Sequence, residues 1–472
     1  MSEELKVIIV GGSIAGLTLA HCLERLGISF EVLERNEDIS PQLGASIGIL
    51  PNGARILAQL GLFEAIEKEV EPMKTSRISY SDGFAFQSDF PASWLQTFGF
   101  PAAFLERQKF LAMLYSTLQH KDRVHTGQPV VSIRHEKSHA MVRTAAGQEY
   151  KAHLVVGADG VHSTVRSEMW KHAAKLGSSA VDNTTSFSAL KLEYACIYGI
   201  SKQVPNIEAG VWYNLLDKQI TIHLIGVKAG KVFWFLIVKQ EAKLRHGRLT
   251  TEDARRICEN LQSRRISPTL TFGDLWKGCY IFKMTPLEEG WFSLWHAGRL
   301  VITGDAVRKM APSIGQGANM AIEDAAVLAN ALWRVGLDET KLETEELDRR
   351  LADALQYYST SERISRTKTM CARSEFLVRL QAHDGWLKAI LARYVIPLLG
   401  DVPASLSAQA IRAGPLLEFV DVPSRSRQQT RGWIGGPSWL TEKRLLISAF
   451  LACLAAALPL LKLAIPQQAS LS

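Results

Sequence analysis

Residues 7–20 read VIIVGGSIAGLTLA. The apolar run through Val10 predicts a buried parallel strand, and the leucines after the glycines have helical spacing. A second strand, SFEVLER, follows Gly27, so the first 35 residues predict one βαβ unit, the context in which a glycine motif carries meaning. In such a unit Gly11 would make the tight turn and Gly16 would let the helix pack close to the strand. The helix N-terminus would offer N–H groups to a pyrophosphate.

Ser13 stands where the usual dinucleotide pattern has its middle glycine. A small side chain need not block a phosphate, and its hydroxyl can donate to one. Glu34 closes the second strand, where an acid accepts hydrogen bonds from a ribose 2′-OH and repels a 2′-phosphate. The segment therefore predicts a site for FAD or NAD rather than NADP. The competing interpretation is a glycine-rich turn in an ordinary α/β domain.

Two later segments also place polar residues at strand ends. In LVVGADGVHSTVR (154–166), Asp159 follows an apolar strand, and Ser163 or Thr164 would cap the next helix. In residues 299–332 a strand ends at Asp305, and GQGAN opens a long helix near Gly317. Asp305 suits ribityl hydroxyls, and the helix start would point N–H groups at the flavin edge that becomes negative on reduction.

Composition narrows the function classes. The 472 residues carry a net charge of +7 and are 47% apolar, which indicates a folded protein of two or three domains. The charge excess is modest and gives no reason to expect a nucleic-acid partner. No two of the six cysteines form a C-x-x-C motif, so neither a zinc site nor a thioredoxin motif is predicted, and no metal is expected. The acidic N-terminus runs directly into a strand, which predicts no signal peptide.

Together, the N-terminal glycine motif, the central A-D-G and the later G-D-A…P-x-x-G-Q-G-A-N resemble the three fingerprints of group A flavin monooxygenases, which have the para-hydroxybenzoate hydroxylase fold. The resemblance covers about residues 5–335. The stretches GASIGILPNGARILAQLGL, FLERQKFLAMLY and GDAVRKMAPSIGQGANMAIEDAA resemble, more narrowly, fungal FAD-dependent epoxidases of meroterpenoid and indole-diterpene clusters. The chain has Ala306 and Arg308 where members of the family often have Ser and His, so a proton relay through that histidine is not expected.

The resemblance implies the cofactor-binding set Gly11, Gly16, Glu34, Gly48, Arg107, Asp159, Asp305 and Ala318. Glu34 would hold the adenosine ribose, Arg107 the pyrophosphate and Asp305 the ribityl chain. Gly48, in a flexible loop, and Ala318 would lie beside the isoalloxazine. Tyr213 would be the catalytic residue. The alternatives are a salt bridge between Arg107 and Glu106, a plain turn at Gly48, and a Tyr213 that only packs within a sheet.

The implied reaction uses FAD, NAD(P)H as co-substrate and molecular oxygen. A C4a-hydroperoxyflavin would pass one oxygen atom to an isoprenoid double bond of a hydrophobic prenylated intermediate in fungal terpenoid or meroterpenoid secondary metabolism. One alternative is aromatic hydroxylation of the salicylate hydroxylase type. Another is a flavoprotein that binds FAD or transfers electrons without inserting oxygen.

The predicted fold class is α/β, a Rossmann-type FAD-binding domain with an antiparallel-sheet substrate domain, C-terminal helices and a terminal membrane helix. We predict the FAD-binding domain from residues 1–75, 101–180 and 290–340, and the substrate domain from 76–100 and 181–289. A helical cover (341–420), a linker (421–443) and a transmembrane helix (444–465) would follow.

The predicted membrane helix rests on RLLISAFLACLAAALPLLKLAIP, in which residues 445–461 carry no charge. Lys462 can extend the span by snorkelling. A basic flank of Arg425, Arg427, Arg431, Lys443 and Arg444 precedes it, which favours the cytosolic side for the catalytic domain. We expect a single-pass C-terminal anchor, at the endoplasmic reticulum. An interfacial or core-packed helix is the alternative.

Overall fold

The computed structural model describes residues 2–42, 44, 46–177, 190–240, 249–337, 342–400, 402–423, 425 and 432–433. Its strands are β1 (Ser2–Glu3), β2 (Lys6–Val10), β3 (Ser29–Leu33), β4 (Ser46–Ile49), β5 (Thr75–Tyr80), β6 (Ala85–Ser88), β7 (Ala103–Glu106), β8 (Val124–His125), β9 (Val130–His135), β10 (Ala140–Thr144), β11 (Glu149–Ala152), β12 (Leu154–Gly157), β13 (Lys191–Lys202), β14 (Val211–Asp217), β15 (Ile220–Gly226), β16 (Lys231–Lys239), β17 (Arg265–Ser267), β18 (Leu270–Thr271), β19 (Cys279–Trp291), β20 (His296–Ala297), β21 (Leu300–Ile302), β22 (Arg308–Lys309) and β23 (Leu342–Glu343). Its helices are α1 (Ile14–Arg25), α2 (Pro51–Gln59), α3 (Phe63–Glu69), α4 (Phe90–Phe98), α5 (Arg107–Ser116), α6 (Thr164–Lys175), α7 (Thr251–Asn260), α8 (Phe272–Lys277), α9 (Gly317–Arg334), α10 (Thr344–Tyr358), α11 (Ser361–Gln381), α12 (Trp386–Ile390) and α13 (Val402–Arg412).

A six-stranded sheet forms the nucleotide half, in the order β20-β21-β12-β2-β3-β8. All neighbours are parallel except β20 and β21. Its central strand β2 is buried from Val7 to Val10, as the apolar run predicts for a strand covered on both faces. Because the carboxyl ends of parallel strands meet at one edge, the segments after β2, β3, β12 and β21 converge there. That edge carries the motifs singled out from the sequence.

An eight-stranded sheet forms the second half, in the order β22-β19-β13-β16-β15-β14-β5-β6. Its pairs are antiparallel except β14 with β5. Segments predicted for the substrate domain supply β6, β13–β16, nearly all of β5 and most of β19. One face of this sheet packs on α7 and α8 through a core that includes Leu224, Trp234 and Phe272. The other face looks toward the carboxyl edge of the parallel sheet.

The helix α10 packs on α9, and α11 packs on β19 and β22 at one edge of the eight-stranded sheet. The predicted transmembrane helix (444–465) and most of the predicted linker lie outside the described residues. Within the part of the chain that is described, no single helix has the length and apolarity to cross a membrane. One pair of helical segments, Trp386–Leu399 and Val402–Arg412, meets those criteria together but bends by 85° between them.

Candidate active site

A cleft of about 600 Å³ separates the carboxyl edge of the parallel sheet from the eight-stranded sheet. Of the predicted site residues, the structure brings seven to its lining: Gly11, Glu34, Gly48, Arg107, Asp159, Asp305 and Ala318. Gly16 lies behind the lining, and Tyr213 is not part of it. The cleft therefore collects residues that are up to 307 positions apart in sequence onto one surface.

The turn between β2 and α1 requires its glycines. Gly11 has φ +107°, and a Cβ there would lie 2.5 Å from the Ala158 carbonyl oxygen. A Cβ on Gly16 would lie 1.9 Å from the Gly11 carbonyl oxygen, so Gly16 allows the helix to approach the strand as expected. The backbone is thus free of side chains where the first turn of α1 faces the cleft.

Glu34 is buried directly after β3 and fixed from two sides. Its Oε2 accepts from the Gly12 N–H at 2.7 Å, and its Oε1 accepts from the Asn36 backbone N–H at 2.9 Å and the Asn36 side-chain amide at 2.6 Å. A carboxylate has about four acceptor positions, so one remains, on Oε2. A ribose hydroxyl bound in the cleft would donate a hydrogen bond to this remaining position of the Glu34 carboxylate.

Arg107 begins α5 and reaches across to the glycine turn. Its Nη2 donates to Ser13 Oγ at 2.7 Å, which leaves the serine's own O–H to donate elsewhere. Burial lowers the pKa of Arg107, and the charges of Asp305, Tyr198 and Glu34 oppose that shift. Glu106, the alternative partner considered from sequence, accepts instead from Lys231 Nζ at 2.6 Å. Ser13 and Arg107 together place a cation and a hydroxyl beside the helix N-terminus.

Two aspartates lie at the ends of β12 and β21. Asp159 Oδ2 accepts from the backbone N–H groups of Thr164 at 2.7 Å and Val165 at 3.2 Å, so it joins Ser163 in capping α6. Burial raises the pKa of Asp159. Asp305 forms an ion pair with Lys309, a partner that the sequence reasoning missed although it lies four residues further on. That pairing raises the pKa of Lys309.

The N-terminus of α9 opens into the cleft at Ala318. One residue further on, Asn319 ties the helix to β4, because its Oδ1 accepts from Leu50 N–H at 2.9 Å and its Nδ2 donates to the Gly48 carbonyl at 3.0 Å. Gly48 lies within β4, paired with β7, and not in a flexible loop as predicted. A Cβ on Gly48 would lie 2.9 Å from Phe104, so the glycine is needed for packing.

Behind α9, a buried group of ion pairs supports the end of β21. Asp324 Oδ2 accepts from the Gly304 N–H at 3.0 Å and from Arg308 at 2.6 Å, and Arg363 also pairs with Asp324. Glu323 pairs with Arg363 at 2.9 Å and Arg366 at 2.6 Å. Burial alone would raise the pKa of Glu323, but the two arginines hold it at about 2. Arg308, the departure from the family pattern, therefore serves as a buried structural cation.

Tyr213 does not reach the cleft, and the expectation that it is the catalytic residue is corrected. Side chains alternate along a strand, and in β14 it is Trp212 that faces the cleft. Tyr213 packs in the core on the opposite face of the sheet. Its hydroxyl accepts from Arg77 Nη1 at 3.3 Å and from the Glu208 N–H at 3.2 Å.

A row of side chains across four adjacent strands forms the sheet side of the cleft. Asn214 is opposite His223, His223 is opposite Phe235, and Phe235 is opposite Tyr198 in the strand registers. Trp212 lies beside this row and meets Phe104 edge to face at a 5.6 Å centroid separation. Tyr198 therefore supplies the phenol on this wall that was expected from Tyr213.

His223 is held as a neutral imidazole in this wall. Burial lowers the pKa of His223 to about 4. Its Nδ1 lies 2.6 Å from Asn214 Oδ1, and the Asn214 amide nitrogen donates to Ser76 Oγ at 3.1 Å. With Oδ1 as the acceptor, Nδ1 carries the proton and Nε2 is the basic nitrogen. The sequence offered no signal for this pair beyond its position in alternating strands.

Among the described residues, Tyr198, Trp212 and His223 bring polar atoms to the lining of this wall, and aromatic and aliphatic side chains surround them. Groups of three or more residues with metal-ligand chemistry do not occur among the residues described. The arrangement combines a polar, hydrogen-bonding edge suited to a dinucleotide with an apolar wall suited to a hydrophobic substrate.

Comparisons with known proteins agree with this arrangement. A family model described as FAD binding domain matches residues 4–354. The chain is 52% identical over 447 residues to the FAD-dependent monooxygenase terM of Tolypocladium album, covering 94% of this chain and 92% of that protein. It is 49% identical over 441 residues to the FAD-dependent monooxygenase ltmM of Epichloe festucae, covering 93% and 92%.

Solved structures resemble the fold. Klebsiella pneumoniae HpxO complexed with FAD and uric acid superposes with a TM-score of 0.71 at 20% identity, covering 88% of this chain and 98% of that one. Tetracycline destructase Tet(51) gives a TM-score of 0.60 at 17% identity, covering 90% and 100%. At such identities the likeness concerns the fold alone.

Proposed function

The chain belongs to the FAD binding domain family and is an FAD-dependent monooxygenase, and on that premise we propose that it epoxidises an isoprenoid double bond of a prenylated intermediate. The pathway would be fungal terpenoid or meroterpenoid secondary metabolism. The observation that carries the proposal is the sheet side of the cleft. Trp212, Phe235, Phe104 and Ile225 present aromatic and aliphatic surface there. An electron-rich, otherwise apolar alkene would pack on this aromatic and aliphatic surface and leave water on binding.

The residues of the opposite wall fit FAD. Glu34 has one acceptor position left for a ribose hydroxyl, and the side-chain-free turn at Gly11 admits a pyrophosphate to the start of α1. Arg107 and Ser13 would contact that pyrophosphate. Asp305 would accept ribityl hydroxyls, and Ala318 would bring the N-terminus of α9 to the flavin ring. Bound FAD, reduced by NAD(P)H, supplies the activated oxygen.

The chain's own groups then bind, orient and exclude water. The positive end of the α9 dipole favours negative charge at the flavin edge. The aromatic wall holds the alkene and keeps water from the reacting centre. No described residue of the wall needs to act as a nucleophile, because the oxygen is delivered to the electron pair of the alkene.

Aromatic hydroxylation is the second candidate, and a specific observation favours it. His223 is neutral and carries its proton on Nδ1, so the lone pair of Nε2 can accept a hydrogen bond from a phenol hydroxyl, while a pKa of about 4 makes it too weak a base to remove the proton. A phenol substrate would therefore find a hydrogen-bond acceptor in the cleft wall, which would orient it for the salicylate type of reaction.

The test is direct. Purified protein should be yellow, and with NADPH it should add one oxygen atom to candidate prenylated lipids, detected as a mass gain of one oxygen. Glu34→Ala should lose the colour and the activity together. If the protein consumes NADPH, leaves every prenylated compound unchanged and hydroxylates a simple phenol, the epoxidase proposal fails and the hydroxylase stands.

We also propose that residues 444–465 anchor the protein in a membrane with the catalytic body on the cytosolic side, at the endoplasmic reticulum. The uncharged run and the basic flank support this. A chain ending at Arg444 should move from the membrane to the supernatant when cells are fractionated. If the full-length chain is equally extractable by buffer, the anchor is wrong.

A further inference from the structure

The segment Trp386–Leu399 carries an exposed apolar surface on the catalytic body. Four large hydrophobic side chains stand out from it: Trp386 is 76% exposed, Leu398 72%, Leu387 53% and Tyr394 48%. We call these four side chains the apolar face. All four lie within one short helical segment and are exposed on the outside of the catalytic body.

This segment has no polar side, unlike an ordinary surface helix. Its inner side packs through Ala392 and Val395, each 1% exposed. In the sequence WLKAILARYVIPLL only Lys388 and Arg393 are charged. Arg393 is held by Asp82 at 2.6 Å and stacks on Phe84 at 3.9 Å. A helix that is apolar all round is stable only when its outer side is covered too, either by protein or by lipid.

The location of the apolar face relates it to the C-terminal tail. The segment is fixed to β5, because the Tyr80 hydroxyl donates to the Ala392 carbonyl at 2.6 Å. The neighbouring helix α4 also contacts β5. The last described residue, Trp433, packs on Phe98 of α4 with a ring separation of 4.7 Å and donates from Nε1 to the Phe98 carbonyl at 3.0 Å. The chain therefore leaves the described structure from an element that borders the same strand.

The length and composition of the chain after Trp433 favour a bilayer as the cover. Ten residues lie between Trp433 and Arg444, so an extended chain spans up to roughly 40 Å from one to the other. The uncharged run 445–461 begins directly afterwards. A tail inserted in a bilayer thus keeps this side of the body within reach of the membrane surface.

The chemistry of the apolar face is that of an interfacial segment. Trp386 and Tyr394 have apolar rings with a polar tip, the side-chain type enriched where hydrocarbon meets headgroups. Leu387 and Leu398 supply purely apolar surface, and Lys388 adds a positive charge beside them that suits anionic lipid. A dry protein cover would leave the indole N–H and the phenol to be satisfied separately, whereas the headgroup region hydrates them.

We propose that the apolar face lies in the interfacial region of a phospholipid bilayer, as a second membrane contact besides the tail. It seats the catalytic body on the membrane surface, so a substrate dissolved in lipid meets a body of fixed orientation. The inference rests on the proposed membrane localisation, but it concerns a different part of the molecule. The two are separated by placing the probe on Trp386 in one case and, in the other, on Trp439, which lies in the predicted linker just before the anchoring residues 444–465.

The experiment uses the full-length chain with vesicles of phosphatidylcholine and phosphatidylserine whose acyl chains are brominated. The bromine atoms quench the emission of a tryptophan only when that tryptophan contacts the lipid acyl chains. Trp386→Phe should lose a component of the lipid-quenchable emission. The matched control is Trp333→Phe, which removes another exposed tryptophan, 36% exposed at the end of α9, and should leave the quenchable component unchanged. Trp439→Phe reports on the tail separately.

Three results overturn the inference. Equal quenching of the wild type and Trp386→Phe means that Trp386 does not touch lipid, whether or not Trp439 does. Shielding of Trp386 from iodide before vesicles are added means that the tail or another segment already covers the face. Concentration-dependent dimerisation that Leu398→Ser abolishes, with no lipid quenching of Trp386, means that a second copy covers it.

Discussion

The two walls of the cleft are built in different ways. On the carboxyl edge of the parallel sheet each polar group is held by backbone or by charge. Glu34 is fixed by the Gly12 and Asn36 N–H groups, Arg107 by Ser13, and Asp305 by Lys309. On the eight-stranded sheet, strand alternation and register determine which side chains face the cleft. There the row from Tyr198 to His223 depends on which side of each strand is turned inward.

The difference explains what each wall can recognise. A wall made of backbone donors and fixed charges binds a constant ligand, the dinucleotide, and tolerates few changes. A wall made of side chains can change its chemistry by single substitutions while the sheet stays intact. Substitutions in or behind the first wall should therefore affect the binding of the cofactor. Substitutions on the second wall should affect which substrate is accepted.

The largest expected effect comes from removing the charge that supports the first wall from behind. Asp324→Asn leaves Arg308 buried without its carboxylate, leaves Arg363 with Glu323 as its remaining partner, and removes the acceptor charge near the Gly304 N–H. Breaking a buried pair in this way costs about 3–5 kcal/mol of the free energy of unfolding. Urea unfolding should show it, together with loss of bound FAD.

Lys109→Ala is the control for Asp324→Asn. It breaks an ion pair with Glu69 that is about half exposed on the same half of the molecule, and it should cost at most about 1 kcal/mol. If both variants unfold alike, the ion pairs behind α9 do not support the site.

Next in size is Arg107→Ala, which removes the cation from the cofactor wall. Losing a charged hydrogen-bond donor should weaken FAD binding by about 1.5–3 kcal/mol, or roughly 10- to 150-fold in Kd, measured by flavin fluorescence titration. Ser13→Ala removes only the hydroxyl that accepts from Arg107 and should weaken FAD binding tenfold at most, by about 0.5–1.5 kcal/mol. An unchanged FAD affinity in Arg107→Ala would show that the guanidinium does not contact the cofactor.

The second wall should make the protein sensitive to acid. Burial lowers the pKa of His223 to about 4, below the value of 6.5 for a solvated histidine, so the unfolded chain binds the proton more readily. The stability that the neutral His223 contributes to the folded state is fully present above pH 6.5. It is lost as the pH falls toward 4. Between pH 6.5 and 5 the free energy of unfolding should drop by about 2 kcal/mol from this residue.

His223→Asn should flatten that part of the pH profile relative to the wild type, measured by thermal unfolding at each pH. Other histidines with lowered pKa, such as His135, contribute equally to both proteins. Parallel profiles for the wild type and the variant would show that His223 is not the titrating group.

The smallest effects compare two tyrosines on opposite faces of one sheet. Tyr198→Phe removes the hydroxyl that lines the cleft, and turnover should fall by up to roughly tenfold with FAD still bound, the effect of losing one hydrogen bond worth about 1 kcal/mol. Tyr213→Phe removes a hydroxyl that bonds to Arg77 and Glu208 on the far face, so turnover should not change and stability should fall by about 1 kcal/mol. The reverse pattern would mean that the assignment of the two faces is wrong.

Much of the first wall could be predicted because its requirements are local. Gly11 and Gly16 are set by clashes within a few residues, and Glu34 follows its strand directly. Asp159 and Asp305 were predictable as strand-end acids, since parallel strands bring their carboxyl ends together. Lys309 was missed because an ion pair in an irregular loop leaves no periodic signal. Gly48 was taken for a loop residue because β4 is short, and only its pairing with β7 makes it a strand.

By itself the sequence determined the βαβ unit, the cofactor class and the alternating strands of the second sheet, because backbone sterics and period-two hydrophobicity act over short distances. Only the tertiary structure decided that Trp212 and Tyr198, not Tyr213, face the cleft. Alternation along a strand shows that side chains point to two faces, but it does not say which set points to the cleft. That is decided only when a neighbouring layer covers one of the faces. The tertiary structure alone also decided that Arg308 belongs to the buried ion pairs of Asp324, Glu323 and the arginines of α11. Those partners come together only when α9 and α11 pack against each other.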